Sequence, residues 1–246
     1  MAHSSFAIGP ILGTMKSVPI PAKPFGPAAP EPLRPFVTIS REPGAGAIGV
    51  SHRFIELMNA DAPDDQKWTC WDRELVEKVA ADHHLKAREI EGLEESDHSW
   101  IGNFFKSLSF ADSGASPDED VIYQKVKRTV EALASAGHVV IIGRGGVFIT
   151  SHIPGGIHIR LVSPFKNRVT FVQQKLGLSE RTAIANIREV EKNRRAFFRM
   201  HWPIHTLDPE SFAMTINTAE VEVESIAQML RTLVQRTCSM LSVSSI

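Results

Sequence analysis

Phe36-Val-Thr-Ile-Ser-Arg-Glu-Pro-Gly-Ala-Gly-Ala-Ile-Gly49 runs from a short β-branched, apolar stretch into a glycine-rich turn. The residues that follow, Ile48 to Asn59, recur with helical periodicity. A strand that passes through such a turn into a helix can cradle phosphate: successive backbone N–H groups converge there, and the helix N-terminus adds about half a positive charge. Gly44 and Gly46 permit positive φ and let an anion approach the backbone. The lysine-bearing pattern GxxxxGK[ST] is not met, because reading from Gly44 to Ser51 puts Val50 at the lysine and counting the loop to Gly46 puts Ala47 there. A turn of this kind also serves simply to join strand to helix, so the loop alone leaves both readings open.

Working outward, three further β-rich runs appear: HVVIIG at 138–143, GIHIRLV at 156–162 and FAMTIN at 212–217. Each is mostly apolar, as strands buried on both faces are. Helical patterns cover 48–59, 72–84, 118–136, 164–176, 179–199 and 221–237. Strands alternating with helices imply parallel strands joined by crossovers, hence an α/β three-layer fold of the P-loop NTPase type, with a parallel sheet flanked by helices. We read residues 36–246 as one such domain. The stretch Lys86 to Pro117 lacks clear periodicity and reads as an irregular insertion or lid. Residues 1–35 hold eight of the 15 prolines, which cannot pair as sheet or coil as helix, so they read as a disordered tail. A transit peptide is the alternative for this tail, but its single arginine, Arg34, argues against it.

Lysine plus arginine total 27 against 28 acidic residues, which gives no global case for a nucleic acid polymer as partner. Any anion binding is local. Cys70 and Cys238 form no CxxC pair, so neither a disulfide framework nor a cysteine zinc site is expected. No apolar stretch approaches the ~18 to 20 residues of a membrane span, and a cytoplasmic location is expected. His201 and His205 fall four apart, but Pro203 interrupts the helix and no third ligand accompanies them, so no protein-held metal is expected.

Several blocks, taken in order, carry a resemblance. Ser40-Arg41-Glu42-Pro43-Gly44-Ala45-Gly46-Ala47 is similar to S-R-E-x-G-S-G-G, and Trp71-Asp72-Arg73-Glu74-Leu75-Val76 to Y-D-R-E-[IL]-[IV]. Val140 to Gly146 is similar to V-I-V-G-R-G-A, Glu191-Lys192-Asn193-Arg194 to D-x-x-R with Glu for Asp, and Thr215-Ile216-Asn217-Thr218 to V-I-N-T. Together these blocks resemble the cytidylate kinase-like family of P-loop proteins, from about Phe36 to about Val234. The resemblance implies a nucleoside monophosphate kinase fold using ATP and Mg²⁺, with ATP on the glycine loop and the acceptor nucleotide in a facing cleft. The chain departs from true cytidylate kinases at Ala47, where active enzymes carry lysine, and at Gly145, where they carry aspartate. Ile187 stands at the first arginine of R-x-x-x-D-x-x-R, with Arg188 one residue out of register. A catalytically impaired nucleotide-binding regulator is therefore the rival reading.

Phosphoryl transfer needs positioning and cations more than covalent chemistry. Arg41, Gly44, Ala45, Gly46, Ala47, Ile48 and Gly49 are the expected ATP-binding residues, and Arg41, Arg168 and Arg194 the expected catalytic cations. The resemblance makes Arg168 a lid arginine closing on the phosphates. Asp72, Arg144, Arg188, Glu191 and Arg194 are the expected acceptor residues. Arg188, Lys192, Arg195 and Arg199 share one helix face, which reads more readily as a solvated surface with exposed ion pairs than as a binding face. Helical counting turns Arg194 inward with Ile187, Val190 and Phe197, where a guanidinium needs a partner; Glu191 is the neighbour expected to position it. Asp72 also suits a helix cap, and Arg144 leaves the carboxyl end of a strand, where α/β sheets bind ligands.

Overall fold

The computed structural model describes residues 34–72, 117–202 and 208–243. All of these belong to the unit Leu33–Ile246, while the other unit of the chain, Met1–Pro32, lies outside the described residues. In chain order the elements are β1 Phe36–Arg41, α1 Ala47–Asn59, β2 Thr69–Trp71, α2 Pro117–Ala136, β3 Val139–Ile142, α3 Gly146–Thr150, β4 Gly156–Val162, α4 Phe165–Leu176, α5 Glu180–His201, β5 Met214–Asn217 and α6 Val223–Val243.

The five strands are parallel in the order β2-β3-β1-β4-β5. With β1 central, the first crossovers run to one side and the later ones to the other, which opens a crevice at the carboxyl ends where the order reverses. Residue parity divides the core. Val37 and Ile39 of β1, with Val140, Ile142, Ile159 and Leu161, pack on Val50 and Phe54 of α1 and on Ile226, Leu230 and Val234 of α6. On the opposite face Phe36, Val139 and Ile141 meet Val126, Val130 and Ala134 of α2 and Ile149 of α3. Helices α4 and α5 form a hairpin with a small core of its own, made by Val169, Val172, Ala183 and Ile187. Gly177 ends α4 in the left-handed region, and the Ser179 hydroxyl caps α5 by accepting from the Thr182 N–H, the local chemistry that turns a hairpin tightly.

This is the three-layer fold the sequence implies, with differences in detail. Strand β2 was not foreseen: three residues are too few to show a period, and pairing with β3 holds them. The five-residue α3 was not foreseen either. The last strand begins at Met214, because Pro209–Ser211 form a 3₁₀ turn. Strand β4 is buried only on alternate residues, Ile157, Ile159 and Leu161. The expectation of burial on both faces is thus corrected for β4, and for the edge strand β5, of whose four residues only Ile216 is buried. All of the helix expected at 72–84 beyond Asp72, most of the insertion at 86–117 and all but the last residues of the tail lie outside the described residues.

Candidate functional site

The glycine loop is anchored before it curves. Glu42 N–H donates to the Leu161 carbonyl at 3.0 Å, extending β1 along β4, and the Glu42 carboxylate accepts from Ser163 N–H at 3.0 Å. Gly44 and Gly46 have φ of 83° and 74°. Their surroundings differ. A Cβ at Gly44 would lie 2.8 Å from the Arg168 carbonyl oxygen, whereas one at Gly46 or Gly49 meets nothing within 4 Å. Gly44 is small because α4 packs against it; Gly46 faces open space at the start of α1. No side chain caps that helix, and its first turn holds no acid. An anion is therefore met by free dipole ends rather than by repulsion.

Neither lysine register offers a cation. Val50 is fully buried, and Ser51, also buried, turns its hydroxyl back to the Ala47 carbonyl at 2.8 Å. Ala47 is 6% exposed and packs into the core. Ala45 is buried and Ile48 exposed.

Among the described residues Arg168 is the most enclosed cation, 7% exposed. Its guanidinium bonds Glu191 at 2.7 Å and the Ser163 carbonyl at 3.0 Å, and lies 3.5 Å from the Glu42 carboxylate. It thereby fastens the loop, α4 and α5 together. Glu191, expected to position Arg194, bonds Arg168. Arg194 faces inward as counted, and its Nη1 donates to the Arg41 carbonyl at 2.9 Å. The Arg41 guanidinium turns to β3, where a Cβ on Gly143 would overlap it. Arg144, with φ of 55°, holds its guanidinium carbon 5.8 Å from the Phe197 ring centre. Gly145 begins α3 in the left-handed region, and a Cβ there would overlap the Trp202 indole. The missing aspartate thus coincides with an aromatic ring against the backbone.

A cavity of about 670 Å³ opens at the carboxyl ends of β1, β3 and β4, roofed by α5. Arg41, Glu42, Arg144, Glu191 and Arg194 line it; Gly44, Ala45, Gly46, Ala47, Ile48, Gly49, Asp72, Arg168 and Arg188 are not among its described lining residues. Asp72 follows β2 beside Cys70, whose thiol is pushed up to about 12 chiefly by burial and then by that carboxylate. Arg188, Lys192, Arg195 and Arg199 form an exposed face, although Arg195 also reaches the cavity. Sequence reasoning missed Arg160, Asn186 and Asn193, all of which line it. A charged arginine inside a mostly apolar strand was the available signal for Arg160. Among the described residues no cluster of His, Cys, Asp or Glu could hold a metal ion, and no helix is long and apolar enough to cross a membrane.

A solved structure of an uncharacterized protein from Eubacterium ventriosum superposes with a TM-score of 0.58 at 18% identity, covering 82% of this chain and 99% of that one. A shikimate kinase from Bacteroides thetaiotaomicron gives a TM-score of 0.46 at 13% identity, over 82% of this chain and 98% of that one. A uronate isomerase from Corynebacterium glutamicum is 24% identical over 120 residues, 49% of this chain. The chain spans only 23% of that protein's length. The family model described as cytidylate kinase-like matches residues 36–220, from β1 to the turn after β5, and the chain therefore belongs to the cytidylate kinase-like family.

Proposed function

We propose that the protein transfers a phosphoryl group from ATP to a cytidylate-like nucleoside monophosphate. The observation that carries this reading is the cavity beside the glycine loop, lined by five arginines: Arg41, Arg144, Arg160, Arg194 and Arg195. Two of its three lining glutamates, Glu42 and Glu191, are engaged by Arg168, so the surplus is cationic. Phosphoryl transfer spreads negative charge over the transferred oxygens, and catalysis consists largely of holding donor and acceptor in line while neutralising that charge. In this reading the polyphosphate lies over Gly46 against the start of α1, and the arginines at the strand ends face the acceptor. Mg²⁺, carried on phosphate oxygens and water, would neutralise donor charge; Glu189 is the lining carboxylate not paired with Arg168. Small nucleotides, not a nucleic acid polymer or a membrane, are the partners proposed, and the cytoplasm the location.

A second reading, a nucleotide-binding regulator without transfer, is favoured by Ala47, whose side chain packs into the core, and by Gly145, closed off by Trp202. ADP release with Mg²⁺-ATP across a panel of nucleoside monophosphates, beside calorimetric ATP binding, separates the two. Release dependent on one acceptor is the expected result. ATP binding without release to any acceptor gives the regulator, and no ATP binding removes both.

A further inference from the structure

A parallel sheet enclosed by helices carries apolar residues on both faces, but one face of β1 and β4 departs from this. Register places Thr38 beside His158 and Ser40 beside Arg160, and residues two apart on a strand share a face. Helix α3 covers this face at Thr38, where a Cβ on Gly146 would come within 3.3 Å of the threonine side chain. The lower pair is internally satisfied. Thr38 is 2% exposed, and its Oγ1 lies 2.8 Å from His158 Nδ1. Burial holds that imidazole below its ordinary value, in the neutral form that suits a hydroxyl partner. The upper pair, Ser40 and Arg160, is half-buried and forms part of the cavity wall, with Arg194 of α5 lining the same space. Phe197 and Phe198, on the last turns of α5, give the cavity an aromatic wall.

We propose that Ser40 and Arg160 form the floor of a subsite that takes the acceptor's phosphate group, held on the sheet by the Thr38–His158 pair beneath, with the acceptor's planar body turned toward Phe197 and Phe198. The guanidinium fork matches two phosphate oxygens, and the serine hydroxyl supplies a further donor. The inference rests on the phosphoryl-transfer reading only in calling this ligand an acceptor, because the subsite binds without ATP.

Calorimetric titration of the full chain with CMP, cytidine and inorganic phosphate, in the absence of ATP, tests it. Wild type is expected to bind CMP and inorganic phosphate, and cytidine far more weakly. Losing a bidentate charged contact corresponds to a rise of ~10 to 100-fold in the CMP Kd for R160Q, with partial recovery in R160K and a smaller loss in S40A. R181Q, on the exposed start of α5, is expected to stay within ~2-fold, as a distant surface charge should. Should R160Q fail to fold, R160K and S40A decide the matter. The proposal is overturned if folded variants bind CMP like wild type, if cytidine binds as tightly as CMP, or if wild type binds neither CMP nor inorganic phosphate. Loss of CMP binding in R160Q without any ADP release in wild type keeps the subsite and removes the kinase reading. ADP release with an unchanged KM for CMP in R160Q does the reverse.

Discussion

Gly44 and Gly46 sit two residues apart with nearly the same backbone angle, yet they serve different ends. At Gly44 the restriction is steric, since any side chain meets the Arg168 backbone; at Gly46 the surrounding space is open. A branched residue at 46 would be strained by about 1 to 2 kcal/mol in the left-handed region and would fill the place proposed for phosphate. We expect Gly46→Val to weaken ATP binding by more than ~10-fold in calorimetry, with a fall in Tm of only ~2 to 8 °C. A folded Gly46→Val protein with wild-type affinity would remove this loop from the donor site. Gly145 repeats the case of Gly44, because both its φ of 66° and the Trp202 ring oppose a side chain.

At the scale of elements, the link between loop and hairpin is Arg168. Its side chain is 8% exposed, against 30% for Glu42 and 27% for Glu191. Deleting one member of a buried ion pair commonly costs about 3 to 5 kcal/mol, because the partners are left without compensation. The partly exposed glutamates can be hydrated, so Arg168→Ala belongs near ~2 to 3 kcal/mol after that discount. For a domain of this size that is a fall of roughly 4 to 12 °C in Tm. ATP affinity should fall with it, as the loop loses its tether, and Arg168→Lys should recover part of both. A melting temperature like that of wild type combined with a large drop in turnover would instead give Arg168 the phosphate-contacting role that the family resemblance implies.

At the scale of the whole molecule, the sheet holds two cores apart and leaves one crevice at its carboxyl edge. The packed chain is already engaged at Arg34, whose Cβ and backbone would be overlapped by a side chain on Gly137. The Pro35 carbonyl accepts from His138 N–H at 2.8 Å, and Phe36 N–H donates to Gly155 at 3.2 Å. The proline-rich composition before this point cannot supply a core. A chain beginning at Leu33 should therefore melt within ~2 °C of the full chain and should bind ATP equally. A loss of several degrees in differential scanning calorimetry would show that the tail packs.

How much of this was legible in the sequence follows from the range over which each feature is encoded. Runs such as FVTIS and HVVIIG, the glycine turn and the amphipathic helices are written in neighbouring residues, so periodicity and turn chemistry fixed the fold class, most element boundaries and the inward turn of Arg194. Strand β2 escaped because its three residues hold no period and depend on pairing with β3. The partners of charged groups escaped for a different reason. Glu191 lies three residues from Arg194 in the chain but bonds Arg168, 23 residues away, and Glu42 meets Arg168 across more than a hundred residues. Nothing local distinguishes those pairings from their alternatives. The cavity was likewise decided by tertiary structure, because strand register alone set Ser40 beside Arg160 and the hairpin alone brought α5 over both. Sequence by itself determined that a strand would deliver a glycine loop to a helix, since that rests on backbone sterics and dipoles. Which arginines line the cavity and which hold the loop was decided only by packing, where burial forces each guanidinium to find its partner.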